Sequence, residues 1–149
     1  FSAHVKVNGQ AGDWPDDGVL QFSTLGHTRP RRTSRPVAAV DIVGASRWQI
    51  VDNVVLSRGR DRRGDAYGIY MKGGGEAGRI ERNIVTCSAQ GDAPVGAHVG
   101  ISLGDGGTGA AYCRGDCAYE HRGGRIVNNI VAHCNDVGID VARSTGAVV

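Results

Sequence analysis

The stretch "RIERNIVTC", residues 79–87, decides the fold, because two other stretches of the chain repeat its pattern. A near copy is "RIVNNIVAHC", residues 125–134, and a looser copy is "WQIVDNVVL", residues 48–56. In each copy an isoleucine lies three residues before an asparagine, and two aliphatic residues follow the asparagine. The three asparagines are Asn53, Asn83 and Asn129. Self-similarity of this kind is typical of repeat architectures.

A second motif, aliphatic-x-aliphatic, alternates with the first along the chain. It occurs at residues 40–42, 69–71, 101–103 and 139–141, and a glycine precedes the last three copies. Alternation over such short runs indicates strands, whereas frequent glycine and β-branched pairs oppose helices. Each unit is therefore predicted to contain a short strand, a turn, a second strand, an asparagine corner and a third strand.

Stacked units of this kind predict an all-β solenoid in which like strands pair in parallel about 4.8 Å apart. The stacking places each asparagine directly above the previous one, where side-chain amides can bond along the pile and tolerate the bend of a corner. We therefore interpret Asn53, Asn83 and Asn129 as a structural ladder and not as catalytic residues.

One unit is longer than the others. Ten residues lead from Val40 to Ile50, whereas 25 lead from Ile101 to Ile126. Solenoids tolerate such loops at one edge while the repeat stays constant. We predict one domain over residues 1–149, less regular in residues 1–37 and regular in 38–149, with a loop insertion at about residues 104–124.

The repeats "WQIVDNVVL … YGIYMKGG" and "GRIERNIVTC … VGISLGDGG … GRIVNNIVAHCNDVGIDV" resemble right-handed parallel β-helix proteins of the pectin-lyase-like superfamily, in particular bacterial secreted repeat proteins without an assigned activity. The resemblance covers about residues 38–149. Because the pattern stops where another asparagine strand should follow, we expect a fragment of a longer β-helix, with further coils after Val149.

The resemblance implies a polysaccharide partner on the outer face of the sheet formed by the aliphatic-x-aliphatic strands. The middle residues of these strands point outward by alternation. The implied substrate-binding residues are Asp41, Tyr70, Ser102 and Asp140, with Asp136 from a neighbouring loop. Further groove walls would come from other loop residues: Arg58, Arg60, Arg62, Arg63, Asp65, Asp92, His98 and Asn135.

Lys72 resembles the lysine that one lyase group of this superfamily uses to abstract a proton beside a uronate carboxyl. That chemistry needs a cation to stabilise the enolate, which Arg82 or Arg79 would supply, or Ca²⁺ as a cofactor. No acidic cluster for Ca²⁺ stands out, and no residue is assigned as a metal ligand. The alternative is a solvated lysine at a strand end. Glu120, His121 and Arg122 form a second candidate for acid–base chemistry, with an exposed turn as the alternative.

The segment "CRGDCAYEHRGG" leaves three interpretations open. Cys113 and Cys117 can form a disulfide, with Cys87 and Cys134 paired across neighbouring coils. Alternatively Cys113, Cys117, His121 and Cys134 bind zinc. The third interpretation is that Arg-Gly-Asp between two cysteines acts as an adhesion ligand. An even number of cysteines favours a secreted, periplasmic or cell-surface protein.

Charge and composition exclude other partners. A formal net charge of +2 and 5% aromatic residues argue against nucleic acid, even though residues 29–36, "RPRRTSRP", form a basic run. No stretch approaches the roughly 18 consecutive apolar residues of a membrane span, so no membrane insertion is expected. Two hypotheses remain: a module that binds, and in the enzymatic version cleaves, an acidic polysaccharide by β-elimination, and a non-catalytic structural or adhesion module.

Overall fold

The computed structural model describes residues 3–27, 29, 33, 36–57, 64–88 and 96–149. Within these ranges the protein is built from short β-strands, and its helical structure is one 3₁₀ turn at Ala110–Tyr112. The strands are β1 (Val5–Asn8), β2 (Val19–Gln21), β3 (Thr24–Gly26), β4 (Val37–Val43), β5 (Gln49–Val51), β6 (Val54–Leu56), β7 (Ala66–Lys72), β8 (Gly75–Glu76), β9 (Arg79–Glu81), β10 (Ile84–Thr86), β11 (His98–Gly104), β12 (His121–Arg122), β13 (Arg125–Val127), β14 (Ile130–Ala132), β15 (Val137–Ala142) and β16 (Ser144–Thr145).

These strands form four parallel sheets. Sheet 1 has the order β1-β4-β7-β11-β15, sheet 2 β2-β5-β9-β13, sheet 3 β3-β6-β10-β14 and sheet 4 β8-β12-β16. Strands that are consecutive in the chain enter different sheets, while corresponding strands of successive repeats pair with each other. The prediction of an all-β protein with parallel pairing of like strands is confirmed.

The repeat is 30 residues long, the separation between Asn53 and Asn83. Asn83 and Asn129 are 46 residues apart, a surplus of 16 residues. Most of that surplus, 14 residues, lies between β11 and β12, where residues 105–120 replace the two-residue link 73–74 of the preceding repeat. We call residues 105–120 the strap. It lies inside the insertion predicted at about residues 104–124.

The main core consists of the inward-facing aliphatic residues of the sheets. Val40, Ile69 and Ile101 of sheet 1 are each 0% exposed and lie side by side in register. Ile50 and Ile80 of sheet 2 belong to the same buried cluster. Burying one such side chain contributes about 1.5–3 kcal/mol, so stability depends on stacking one repeat on the next.

The asparagines stack at the corner between sheets 2 and 3. Asn53 and Asn83 are each 1% exposed, and the side-chain amide of Asn53 donates to the Asn83 Oδ1 at 3.0 Å. Asn83 in turn donates to the Oδ1 of Asn129 at 3.0 Å. Ser23 occupies the matching place one repeat earlier, where its N–H donates to the Oδ1 of Asn53.

The residue before each member of this corner has a left-handed backbone. The φ angles of Phe22, Asp52, Arg82 and Asn128 lie between 51° and 56°. Non-glycine residues rarely adopt this conformation unless nearby bonds fix it. The side-chain bonds of the asparagine ladder satisfy the polar backbone groups at this repeated bend.

The glycine before the aliphatic-x-aliphatic motif permits close approach of adjacent strands. A Cβ on Gly68 would lie 2.5 Å from the carbonyl oxygen of Gly100 and 2.5 Å from a methyl group of Val85. No larger residue fits that gap without displacing backbone.

Two disulfides join the four cysteines. Cys87 pairs with Cys134 across adjacent repeats, and Cys113 pairs with Cys117 inside the strap. This pairing confirms the disulfide interpretation. The zinc interpretation is wrong, because the sulfur ligands that it requires are already in covalent bonds.

Candidate functional site

The residues predicted to line the outer face of sheet 1 do form one column. Lys6, Asp41, Tyr70, Ser102 and Asp140 are register partners from β1 to β15. Lys6 contacts the carboxylate of Asp41 at one end, and the hydroxyl of Ser102 donates to Asp140 at 3.0 Å at the other. Alternation along each strand therefore predicts correctly which residues share this face.

The middle of the column is covered, so the expectation of an open groove is wrong there. Tyr70 is 5% exposed and Ser102 is 0% exposed. The hydroxyl of Tyr70 donates to the carbonyl oxygen of Gly106 at 3.1 Å, and the hydroxyl of Tyr67 donates to Asp105. Both acceptors belong to the strap, which lies over the sheet.

Beneath the strap the tyrosines form a second apolar cluster. The rings of Tyr67 and Tyr70 stack with centroids 4.3 Å apart, and Ala38 and Val99 pack beside them. Burial is the main cause that raises the pKa of both phenols, and Asp105 adds to the effect on Tyr67. Tyr70 therefore contributes to packing under the strap and is not exposed to a ligand.

Two charged side chains fix the strap to links that follow strands of sheet 1. The Oε2 of Glu120 accepts from the N–H of Gly73 at 2.8 Å. The guanidinium of Arg114 donates to Asp16 at 2.7 Å and to the hydroxyl of Ser46 at 2.9 Å. The bond from Arg114 is the largest cause that lowers the pKa of Asp16. Arg114 is thus committed within the molecule, which argues against Arg-Gly-Asp as a free adhesion ligand.

A cleft of about 430 Å³ opens where the strap meets the uncovered end of sheet 1. We call it the lysine cleft. Its lining residues come from strands β1, β4 and β7 and from the strap: Lys6, Asn8, Pro36, Asp41, Val43, Lys72, Gly107, Thr108, Gly109 and Tyr112. Lys6 and Lys72 are the only two lysines of the chain, and both line this cleft.

Lys72 is held over the buried aromatic pair and remains available to a ligand. Its Nζ lies 4.5 Å from the centroid of the Tyr70 ring, and it forms no ion pair within the described ranges. Tyr112, which also lines the cleft, is 41% exposed. The cleft therefore combines ammonium groups, an aromatic surface and the polar groups of Asn8 and Thr108.

Of these lining residues, sequence reasoning identified Asp41 and Lys72 and missed the others. A sequence pattern could have identified Lys6, because Val5-Lys6-Val7 is a copy of the aliphatic-x-aliphatic motif in the part predicted to be less regular. Tyr112 and Thr108 had none, since their position depends on how the strap folds.

The proposed catalytic residues are not brought together. Arg82 lies at the asparagine corner and donates to both carboxylate oxygens of Asp52 at 2.8 Å. Arg79 donates to Glu81 at 2.8 Å on the same side of the repeat. Neither arginine lines the lysine cleft. No cluster of three His, Cys, Asp or Glu side chains suited to a metal ion occurs in the described residues.

His121 is in the interior. It is 1% exposed, and its Nε2 accepts from the N–H of Gly78 at 3.1 Å. Glu120 is also 1% exposed whereas Arg122 is exposed. The exposed-turn alternative is therefore wrong for Glu120 and His121, and the three side chains do not share one accessible face. Consecutive residues of a strand point to opposite faces, which separates His121 from Arg122.

The burial of His121 predicts acid destabilisation. Burial lowers its pKa from 6.5 to about 4. The unfolded state therefore binds more protons between these values, and stability falls as the pH falls through this window. We expect the free energy of unfolding to be about 2 kcal/mol lower at pH 5 than at pH 7.5, measured by urea denaturation.

The variant His121→Gln tests the assignment, because it removes the titrating group from this position. It should flatten the slope between pH 7.5 and pH 5, whereas replacing the exposed His133 with asparagine should preserve it. An unchanged slope in His121→Gln would show that another group causes the acid sensitivity.

The remaining predicted groove residues are dispersed or outside the described residues. Asp136 and Asp65 are exposed, Asn135 accepts from the N–H of His98 at 2.9 Å, and the His98 ring is buried. Several predicted basic and acidic loop residues lie outside the described residues: Arg31, Arg32, Arg35, Arg58, Arg60, Arg62, Arg63 and Asp92.

No protein-family model matches this chain, and neither a curated protein nor a solved structure matches it. Across the described ranges, no helix is long and apolar enough to cross a membrane.

Proposed function

We propose that the chain forms an extracellular right-handed parallel β-helix, and that its lysine cleft binds an acidic polysaccharide without cleaving it. The observation that carries the proposal is that both lysines of the chain line one cleft beside an exposed tyrosine. Four parallel sheets built from a 30-residue repeat support the β-helix. Two disulfides favour an oxidising compartment.

The chemistry of the cleft suits a uronate chain. An ammonium group is a strong partner for a sugar carboxylate, and charge-assisted hydrogen bonds are about twice as strong as neutral ones. The ring of Tyr112 offers an amphipathic surface to a pyranose face. Asn8, Thr108 and Asp41 offer acceptors or donors to sugar hydroxyls. Lys6 already forms an ion pair with Asp41, so Lys72 is the main binding cation.

Binding is favoured over cleavage because the groups required for β-elimination are separated. A lysine base needs a cation or metal that stabilises the enolate on the same substrate. Arg82 is bonded to Asp52 at another corner and His121 is buried. The lysine cleft therefore favours the first hypothesis, the polysaccharide-binding module, in the version that binds without cleaving.

Replacing Lys72 with methionine should weaken binding of an oligogalacturonate hexamer at least tenfold, measured by isothermal titration calorimetry at low salt. Methionine keeps the apolar stem near Tyr70 and removes the charge. A tenfold loss corresponds to about 1.4 kcal/mol, the scale of one charge-assisted contact.

The matched control is Arg125→Met, which removes one exposed positive charge on sheet 2 and leaves the cleft intact. It should change the affinity less than twofold. Equal losses in the two variants would indicate non-specific attraction to net charge, and no binding by the parent chain would reject the proposed function.

A further inference from the structure

The carboxylate of Asp41 lies between the two ammonium groups of the lysine cleft. Asp41 is the register partner of Lys6 on one neighbouring strand and of Tyr70 on the other. The Nζ of Lys6 contacts the Oδ2 of Asp41, and the Nζ of Lys72 lies 4.5 Å from the centroid of the Tyr70 ring. An anion that reaches both ammonium groups therefore comes close to a negative charge of the protein.

Asp41 depends on Lys6 for its hydrogen bonding. Its Oδ1 is buried and has no hydrogen bond partner among the described residues, and its Oδ2 accepts from the ammonium of Lys6. The Lys6 side chain is 41% exposed and can turn toward a ligand, whereas the Asp41 side chain is 17% exposed and belongs to the wall. Removing one partner of a largely buried ion pair is strongly destabilising. A ligand carboxylate that draws Lys6 away must therefore bring a new donor for Asp41.

The strap adds a second acceptor to the same cleft. The hydroxyl of Thr108 donates to the Oε2 of Glu120 at 2.7 Å, and this bond uses the one proton of the hydroxyl. Thr108 therefore offers a ligand only the lone pairs of its oxygen. Because Asp41 and Thr108 both accept hydrogen bonds, a ligand that fits the cleft must supply hydroxyl donors beside its carboxylate.

We propose that the lysine cleft selects uronate units whose ring hydroxyls are free over units whose hydroxyls carry acetyl esters, with Asp41 as the specificity-determining residue. The ligand carboxylate binds the two ammonium groups, and the neighbouring hydroxyls donate to Asp41 and Thr108. An acetyl ester leaves the carboxylate in place but removes the donor, so Asp41 faces a second anion without compensation. This inference rests on the proposed function and specifies which acidic polysaccharides the cleft accepts.

The test compares an oligogalacturonate hexamer with the same hexamer acetylated at its ring hydroxyls, by isothermal titration calorimetry of the whole chain at low salt. Both ligands carry the same carboxylates, so a preference between them does not come from ligand charge. The unsubstituted chain should bind the free-hydroxyl hexamer at least fivefold more tightly. A smaller difference would overturn the proposed selectivity.

The variant Asp41→Asn separates the charge of this side chain from its size. Asparagine is nearly isosteric with aspartate, so exclusion of acetyl groups by bulk alone would leave the preference unchanged. Without the negative charge, binding of the acetylated hexamer should strengthen at least threefold and the preference should fall below twofold. A loss of structure would instead weaken both ligands, and circular dichroism would detect it. Asp41→Ser, a second variant without the charge, should change the preference in the same direction.

Asp140→Asn is the matched control, because Asp140 belongs to the same column of sheet 1 and does not line the lysine cleft. It removes the same charge and should retain the fivefold preference. Loss of the preference in this control, or its persistence in Asp41→Asn, would overturn the role of Asp41. Binding of neither hexamer would reject the proposed function and the selectivity with it, whereas equal binding of both would reject the selectivity alone.

Discussion

Replacing Asn83 with alanine is expected to lower the free energy of unfolding by about 4 kcal/mol. The side chain makes four buried hydrogen bonds: it accepts from the N–H and the amide of Asn53, and it donates to the carbonyl oxygens of Ile50 and Glu81. Each lost bond costs about 1 kcal/mol when its partner remains buried. Urea denaturation followed by circular dichroism measures the change.

Asn129→Ala is the matched control at the edge of the same ladder. Asn129 makes similar bonds to Asn83, Ile80 and Val127, but it is only partly buried, so water can replace some of them. Its cost should be less than half that of Asn83→Ala. Equal losses of unfolding free energy in the two variants, or a loss below about 1 kcal/mol for Asn83→Ala, would contradict the claim that the buried asparagine ladder stabilises the fold.

Removing the Cys87–Cys134 disulfide should lower the free energy of unfolding by about 4 kcal/mol. The bond links residues 47 apart in sequence, and a crosslink stabilises mainly by restricting the unfolded chain, more for longer loops. The double variant Cys87→Ala/Cys134→Ala measures the effect without a reducing agent.

Cys113→Ala/Cys117→Ala is the control for this prediction. The cysteines are 4 residues apart, so the same entropy argument gives about 2 kcal/mol. A larger loss from the strap disulfide than from Cys87–Cys134 would show that strap packing, and not loop entropy, determines the contribution.

The repeat could be predicted from the sequence because its signals are local. Isoleucine three residues before asparagine, and glycine before aliphatic-x-aliphatic, recur at nearly constant spacing, and both have direct structural causes. Gly68 lies against the backbone of Gly100, and Asn83 satisfies polar groups at a bend with positive φ. Patterns of this kind specify strand register without knowledge of distant contacts.

The site could be predicted only in part because the strap acts through distant contacts. Its arginine, Arg114, bonds to Asp16 across 98 residues of sequence, and no local pattern predicts that pairing. The register of Tyr70 was therefore predictable, whereas its burial was not. For the same reason, the sequence could not show that Arg82 lies away from Lys72 or that His121 lies in the interior.

The most direct test of the central claim compares an oligogalacturonate hexamer with its carboxyl-reduced, neutral counterpart in ¹H–¹⁵N NMR titrations of the whole chain. We predict that the acidic hexamer shifts the amide signals of Asp41, Lys72, Gly107 and Thr108, and that the neutral hexamer binds at least tenfold more weakly. Equal affinities, or shifts confined to residues of sheet 3, would contradict the assignment of the lysine cleft as the binding site for an acidic polysaccharide.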